Sequence, residues 1–177
     1  MNSFDFSAEL KTLLLNGPYK ELAKGTYLLR EGETERNVYL IGSGAVRAYL
    51  LSEAEEITIR FGYAGSVINS LASFINSQPS ELSLQAIRKT SCHTIDKQTL
   101  EAFVNRSAAH QQGYTTLLEQ TIVQQIERET DLLTTSPTER LARVLKRSPN
   151  LFQQVPLKYI ASYLRMTPET LSRIRKS

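Results

Sequence analysis

Glu169 and Arg173 stand four residues apart near the end of the chain and combine a hydrogen-bond acceptor with a rigid set of donors. The planar guanidinium of an arginine matches the O6 and N7 acceptors of guanine, and a glutamate can accept a hydrogen bond from cytosine N4. Residues four apart on a helix lie on one face, so a helix here would point both side chains the same way. The chemistry of this pair therefore suits the reading of base-pair edges.

The stretch around this pair, Pro156 to Lys176, predicts two short helices joined by a tight turn. Its apolar positions recur at helical spacing: Ile160, Ala161 and Leu164 in the first helix, and Leu171 and Ile174 in the second. Thr167 is a suitable N-cap, and Pro168 fits the first position of the second helix. This pattern is typical of a helix-turn-helix, whose second helix enters the DNA major groove, although an ordinary helical hairpin shares it.

The last quarter of the chain is strongly basic. Residues 136–177 contain nine Lys and Arg against two Glu, a net charge of +7, whereas residues 1–135 contain 12 basic and 16 acidic residues, a net charge of −4. Because the basic segment coincides with the predicted helix pair, it favours binding to phosphates over a merely solvated face. The residues expected to contact phosphates are Lys158, Arg165, Thr167, Thr170 and Lys176.

Composition argues against several other classes of protein. No apolar run approaches the ~18 residues of a membrane span, and the N-terminus has no secretion signal, so we expect a cytoplasmic protein with no membrane contact. The single cysteine, Cys92, excludes a disulfide framework and a cysteine-rich metal or iron–sulfur site. His93 and His110 lack metal-ligand spacing with each other, which disfavours a metal-dependent enzyme.

Short strands separated by glycines are predicted between residues 24 and 96. The predicted strands are Thr26–Leu29, Val38–Ile41, Ala45–Leu51, Ile57–Phe61, Ser66–Ile68, Leu82–Ala86 and Ser91–Ile95. They indicate an antiparallel sandwich or barrel, the part of the chain where a small ligand would bind. Asn69–Ser80 reads as a short helix and loop, either a pocket cover or a plain connection. Residues 1–24 read as mostly helical, with a break at Asn16, Gly17 and Pro18.

A long helix is predicted from Gln111 to Thr134, about 36 Å in length. Its apolar stripe is too long for a small β domain to cover, so we expect a second copy of the chain to complete the burial and form a homodimer. The residues expected at this seam are Tyr114, Leu118, Ile122, Gln125, Ile126 and Leu133. The alternative is a helix packed only on its own sheet.

The segment Ser136-Pro137-Thr138-Glu139 has the signature of a helix N-terminus, with Ser as the N-cap, Pro at the first position and Glu at the third. The start of a new helix here marks a domain boundary. The chain is therefore divided into an N-terminal helix and β-rich domain over residues 1–97, a long dimerisation helix over 98–135, and a helix-turn-helix domain over 136–177.

This order of parts resembles the CRP/FNR family of bacterial transcription regulators. The resemblance is strongest in VPLKYIASYLRMTPETLSRIRK, which is similar to the branch of the family found in Bacteroidetes, and extends to KGTYLLREGE and NVYLIGSGAVRAYL. It implies an α+β fold with an N-terminal antiparallel β-roll (a double-stranded β-helix of the cyclic-nucleotide-binding type), then a dimerisation helix and a winged-helix-like DNA-binding domain.

In this family the recognition helix carries E-x-x-S-R, which stands here as Glu169, Ser172 and Arg173. The resemblance implies a homodimer on double-stranded DNA, reading a pseudo-palindrome with TGA-containing half-sites. It adds RNA polymerase as a candidate partner and an unidentified small molecule as a candidate effector. The alternative is a ligand-sensing or protein-interaction module of the same fold that does not bind DNA.

Two departures from the family pattern bear on these expectations. Arg165 stands at the helix-turn-helix corner, where the family usually has glycine. The effector pocket implied by the resemblance falls on Asn69-Ser70 and Leu82-Ser83, where cyclic-AMP-binding members have Gly-Glu and Arg-Ser or Arg-Thr. Because no arginine is present to balance a cyclic phosphate, we expect neither cyclic AMP nor cyclic GMP as the effector.

Overall fold

The computed structural model describes residues 4–53 and 55–176; residues 1–3, 54 and 177 of the predicted domains lie outside this range. The helices are α1 (Phe6–Leu15), α2 (Leu71–Asn76), α3 (Lys97–Val104), α4 (Ala108–Leu133), α5 (Pro137–Arg147), α6 (Leu151–Gln154), α7 (Leu157–Tyr163) and α8 (Pro168–Lys176). The strands are β1 (Tyr19–Leu22), β2 (Tyr27–Leu29), β3 (Asn37–Ser43), β4 (Ala45–Ser52), β5 (Glu55–Tyr63), β6 (Val67–Ile68), β7 (Leu82–Ala86) and β8 (Thr90–Asp96).

Two four-stranded antiparallel sheets form the β-roll, in the orders β1-β8-β3-β6 and β2-β7-β4-β5. Strand β3 shows how the sequence pattern builds it, because its side chains alternate between two buried clusters. Tyr39 and Ile41 join the cluster shared by the two sheets, and Val38 and Leu40 join a second cluster with residues of α1 and α3. The predicted sandwich is confirmed, with a helical layer on one of its sheets.

Strand β1 corrects the prediction that residues 1–24 are mostly helical. Helix α1 ends at Leu15, and Tyr19–Leu22 pairs with β8. The chain passes close to β8 at Gly17, where an added Cβ would lie 2.2 Å from the Thr94 carbonyl oxygen. Pairing with a strand some 70 positions away in sequence overrides the local pattern.

The long helix α4 contains 26 residues and packs its first turns against α1. Gly113 makes this possible, since a Cβ there would lie 2.4 Å from the Phe6 side chain. Asp5 and Ser107 cap α1 and α4 with side-chain hydrogen bonds, as short polar residues do at helix starts.

The four helices α5 to α8 share one buried cluster, with Leu141, Val144, Ile160, Leu164 and Leu171 in it. Ala45 and Ile87 of the β-roll belong to the same cluster. Residues 97–176 contain helices and no strand, so this described part lacks the β-hairpin wing that was expected of a winged helix. Helix α6 was not predicted either. Within the described residues, no helix has the length and apolar character needed to cross a membrane.

Candidate nucleic-acid interface

Helices α7 and α8 pack as a pair around three buried side chains. Ala161 of α7 and Leu171 of α8 are almost completely buried, as is Leu164 at the end of α7. A small residue at position 161 lets the two helices approach closely. The predicted packing of this pair is therefore present.

Arg165 occupies the left-handed region at the corner, with φ of 54°. The turn closes with hydrogen bonds from Met166 N–H to the Ala161 carbonyl (3.0 Å) and from Arg165 N–H to the Ser162 carbonyl (3.1 Å). For a residue with a Cβ this conformation costs about 1 kcal/mol relative to glycine. The corner has the geometry that normally selects glycine.

Arg140 holds the corner from the other side, and sequence reasoning missed it. Its Nη1 donates to the Leu164 carbonyl at 2.6 Å, and its Nη2 donates to the Thr134 carbonyl at 3.0 Å. The corner is thereby tied to the joint between α4 and α5. No local spacing links position 140 to position 164, so only the fold shows this contact.

The start of α8 is capped as the sequence predicts. Thr167 Oγ1 accepts a hydrogen bond from Thr170 N–H at 3.2 Å, and Pro168 is the first residue of the helix. Glu169 and Arg173 are both exposed, and Ser172 between them is half-buried. Neither charged side chain forms an ion pair with another described residue. The structure thus presents both on the surface of one helix.

The predicted phosphate contacts surround this surface. Lys158, Arg165, Thr167 and Lys176 are exposed, and Thr170 is half-buried. They lie on α7, on α8 and in the turn that joins them, so the structure brings these residues together on one motif. Their proposed contacts with DNA stay predictions.

Two arginines of the basic segment pair with a buried carboxylate of the protein, although their charge predicted an outward surface that contacts phosphates. Asp131 of α4, only 1% exposed, accepts hydrogen bonds from Arg143 Nε at 2.8 Å and from the Arg147 guanidinium. Arg147 also lies 3.6 Å from Glu127. These arginines therefore fasten α5 to α4 and contribute less charge to an outward surface than their number suggests.

Arg128 joins the helix-turn-helix to the β-roll and was also missed from sequence. It is 8% exposed and donates to the Thr58 carbonyl (3.0 Å) and the Tyr163 carbonyl (3.3 Å). Its guanidinium lies 4.0 Å from the centre of the Tyr163 ring. Burial lowers the pKa of Arg128 from its ordinary value. No local spacing links position 128 to these carbonyl groups.

Ser162 makes a second link between the two parts. Its hydroxyl accepts a hydrogen bond from Thr58 N–H at 2.9 Å and donates to the Glu56 carbonyl at 3.0 Å. Helix α7 is therefore bonded along the outer strand of a sheet, β5. The position of α7 relative to the β-roll depends on these contacts.

The predicted dimer residues divide between two faces of α4. Ile122, Ile126 and Leu133 are 59%, 57% and 82% exposed, and Gln125 is exposed beside them. Tyr114 instead packs in its own chain, with its ring centre 6.4 Å from that of Phe6, and Leu118 is half-buried. The exposed apolar side chains of this set therefore lie in the C-terminal half of α4, and the dimer contacts stay a prediction.

The predicted effector residues are also divided. Ser70 and Ser83 are buried and already bonded within the chain, Ser70 to the Ser80 hydroxyl (2.8 Å) and Ser83 to Glu31 N–H (3.0 Å). Leu82 is half-buried. Asn69 lines a cavity of about 370 Å³ between the β-roll and α4. Of the four predicted residues, Asn69 therefore lines the cavity beside α4.

A buried carboxyl group lies beside these positions. Glu35, 2% exposed, accepts hydrogen bonds from Asn37 N–H (3.0 Å), the Tyr39 hydroxyl (3.3 Å) and Ser70 N–H (3.4 Å). Burial raises its pKa, although these donors oppose the shift. The backbone N–H of Ser70 is therefore already bonded to a carboxylate, that of Glu35.

The two histidines make ordinary structural contacts. His93 Nδ1 lies 3.2 Å from the Gly17 carbonyl oxygen, and His110 Nε2 lies 3.2 Å from Glu9 Oε2. Across residues 4–53 and 55–176 no group of three or more His, Cys, Asp or Glu side chains could hold a metal ion.

Comparison with known proteins gives a family match and several structural matches. The family model described as "Cyclic nucleotide-binding domain" matches residues 19–107. No protein with a curated function matches the sequence. The structure of FixK2 from Bradyrhizobium japonicum is 23% identical, with a TM-score of 0.78 over 90% of this chain and 82% of that one.

Two further solved structures have the same fold. A CooA mutant from Carboxydothermus hydrogenoformans is 21% identical, with a TM-score of 0.72 over 99% of this chain and 80% of that one. A CRP-family transcriptional regulator from Thermus thermophilus is 17% identical, with a TM-score of 0.66 over 89% of this chain and 82% of that one. At these identities the similarity shows the fold.

Proposed function

Because the chain belongs to the cyclic nucleotide-binding domain family and shares the fold of CRP/FNR regulators, we propose that it is a transcription regulator that binds specific DNA sequences. The observation that carries the proposal is the outward presentation of Glu169 and Arg173 on α8, at the surface of a capped and well-packed helix-turn-helix. A helix placed in the major groove by such a motif reads bases with the side chains of its first turns.

Recognition is proposed to use two kinds of contact. Arg173 bonds to a guanine and Glu169 to a cytosine, with Ser172 beside them, in a TGA-containing half-site. Lys158, Arg165, Thr167, Thr170 and Lys176 contact phosphates and fix the register of α8 on the duplex. The supporting observation is that these side chains lie on one motif around the exposed base-reading pair.

The chain is proposed to act as a homodimer through α4. The exposed stripe of Ile122, Ile126 and Leu133 is unusual for a monomer, because large apolar side chains at helical spacing normally pack against a partner. A twofold pair would place two recognition helices about 34 Å apart, one turn of DNA, and so read a pseudo-palindrome. RNA polymerase remains a predicted partner. A cytoplasmic location is part of the proposal, because a transcription regulator acts where the DNA is.

The test is selection from a random DNA library, followed by footprinting of the enriched sequences. We expect an inverted repeat whose half-sites contain TGA and whose centres are one helical turn apart. Failure to bind any enriched or random duplex at low salt would contradict the proposal and favour the alternative module that does not bind DNA.

The family name implies a cyclic nucleotide, and the residues of this chain do not fit one. No Lys or Arg is found among Asn69, Ser70, Leu82 and Ser83 to balance the cyclic phosphate. The hydroxyls of Ser70 and Ser83 already have partners, and the buried carboxyl of Glu35 lies against Ser70. We therefore propose a regulator that does not respond to cyclic AMP.

Titration calorimetry tests this directly. We expect no heat of binding when cyclic AMP or cyclic GMP is added to the protein, because a phosphate held by Ser70 and Ser83 would lose water without gaining a cation. Micromolar affinity for either nucleotide would show that the four positions are misassigned.

A further inference from the structure

Two cavities between α4 and the β-roll meet around one arginine. The first, of about 370 Å³, reaches from α1 to the middle of α4; the second, of about 550 Å³, continues from there to α5 and α6. Arg60, Val67, Thr121 and Gln124 line both of them. Each is within the ~300–1,000 Å³ range of small-molecule pockets. The shared lining makes them one channel along the helix.

The two ends of the channel differ in polarity. Toward α1 and α3 the walls are apolar side chains such as Leu10, Phe74, Leu100 and Leu117. Toward α5 the lining is polar and includes Arg128 and Arg147. A ligand that fills the first cavity and reaches the junction must therefore be mostly apolar, with a polar group at the end nearer α5.

Arg60 is the cation available at the junction. Arg128 is occupied by the Thr58 and Tyr163 carbonyls, and Arg147 is occupied by Asp131. Arg60 is exposed, lines both cavities and forms no ion pair with any other described residue, so its guanidinium can bind an anion that enters the channel. Arg60 can therefore bind the carboxylate of a ligand without breaking an ion pair within the protein.

We propose that this channel binds a linear amphipathic carboxylate, a medium-chain fatty acid. The carboxylate pairs with Arg60, and the alkyl chain lies along α4 against Leu117, Leu100 and Phe74. The hydrophobic effect favours burial of the chain, and the guanidinium supplies the specificity for an acid. Asn69 and Leu71 line this site, whereas Ser70, Leu82 and Ser83 do not. The proposal does not depend on DNA binding.

The direct test is titration calorimetry and native mass spectrometry with sodium dodecanoate, below its micelle concentration. We expect one saturable ligand per chain, and weaker binding of dodecanol, which has the same alkyl chain without the charge. Absence of saturable binding, or equal affinity for the alcohol, would overturn the proposal. So would many ligands per chain, which is the behaviour of a detergent.

Two charge variants locate the head group. Arg60→Gln should weaken dodecanoate binding by about tenfold or more, because one charge-assisted contact is lost. Lys11→Gln is the matched control: it removes the same charge at the apolar end of the first cavity and should change the affinity less than about twofold. The reverse pattern, or equal effects, would refute the assigned orientation.

A third variant tests the channel itself. Thr121→Phe places a ring where the two cavities join and should abolish binding of dodecanoate while Arg60 remains. Thermal unfolding of each variant checks that the fold is retained. Dodecanoate that still bound to a folded Thr121→Phe protein would show that it occupies another site.

Discussion

At the scale of single residues, Arg173 is the side chain to which the proposed function assigns base recognition. Arg173→Ala should cost about 1–3 kcal/mol in affinity for the preferred site and relax the preference for one guanine. Competition binding with site variants measures both effects. Lys176→Ala on the same helix is the control, because loss of a phosphate contact should weaken binding to all sequences alike. An unchanged base preference in the Arg173 variant would show that this residue does not read the site.

Arg165 combines a strained backbone with a proposed DNA contact, and two substitutions separate them. Arg165→Gly should raise the free energy of unfolding by about 1 kcal/mol relative to Arg165→Ala, because only glycine relieves the left-handed conformation. Both variants lose the charge, so both should bind DNA more weakly. Urea unfolding and binding titrations measure the two properties. Equal stability of the glycine and alanine variants would show that the left-handed backbone at position 165 is not strained.

At the scale of elements, the exposed half of α4 is the proposed dimer seam. Ile126→Lys should shift the protein toward monomers, since it places a charge where two apolar stripes meet. Ile75→Lys is a closely matched control: Ile75 is 55% exposed against 57% for Ile126, but it lies on α2. Light scattering after size-exclusion chromatography measures the mass. A dimer that tolerated Ile126→Lys would place the seam elsewhere.

Elements with a strong local pattern were predictable, and the seven predicted strands are all present. Strand β1 was not, because Tyr19–Leu22 has no periodicity of its own and is defined by pairing with β8. In the site, Thr167 could be recognised as a cap because capping is local. Arg128, Arg140 and Ser162 could not, because their partners are carbonyl and N–H groups that only the tertiary structure brings near. The same reason explains why Tyr114 was assigned to the dimer stripe.

At the scale of the whole molecule, the charge is divided along the chain. Residues 136–177 carry a net charge of +7 against −4 in the rest, and the basic residues not paired with Asp131 favour an anionic polymer at the helical domain. Affinity for DNA should therefore fall steeply with salt, the logarithm changing by roughly −0.9 per phosphate neutralised. Binding isotherms between low and moderate salt, repeated for Lys176→Ala, measure this slope. The variant should show a shallower slope, and an unchanged slope would remove Lys176 from the contact set.

The bonds from Ser162 and Arg128 to β5 also have a consequence for solubility. Strand β5 is the last strand of its sheet, and Ser162 and Arg128 occupy the Thr58 N–H and C=O and the Glu56 C=O on its open side. Open strand edges are templates for pairing with other chains, so the helical domain of α5 to α8 protects this sheet from edge-to-edge aggregation. Any movement of α7 away from β5 would uncover that edge. If the proposed function is correct, the helical domain must spend little time separated from β5, because two uncovered β5 edges can pair with each other.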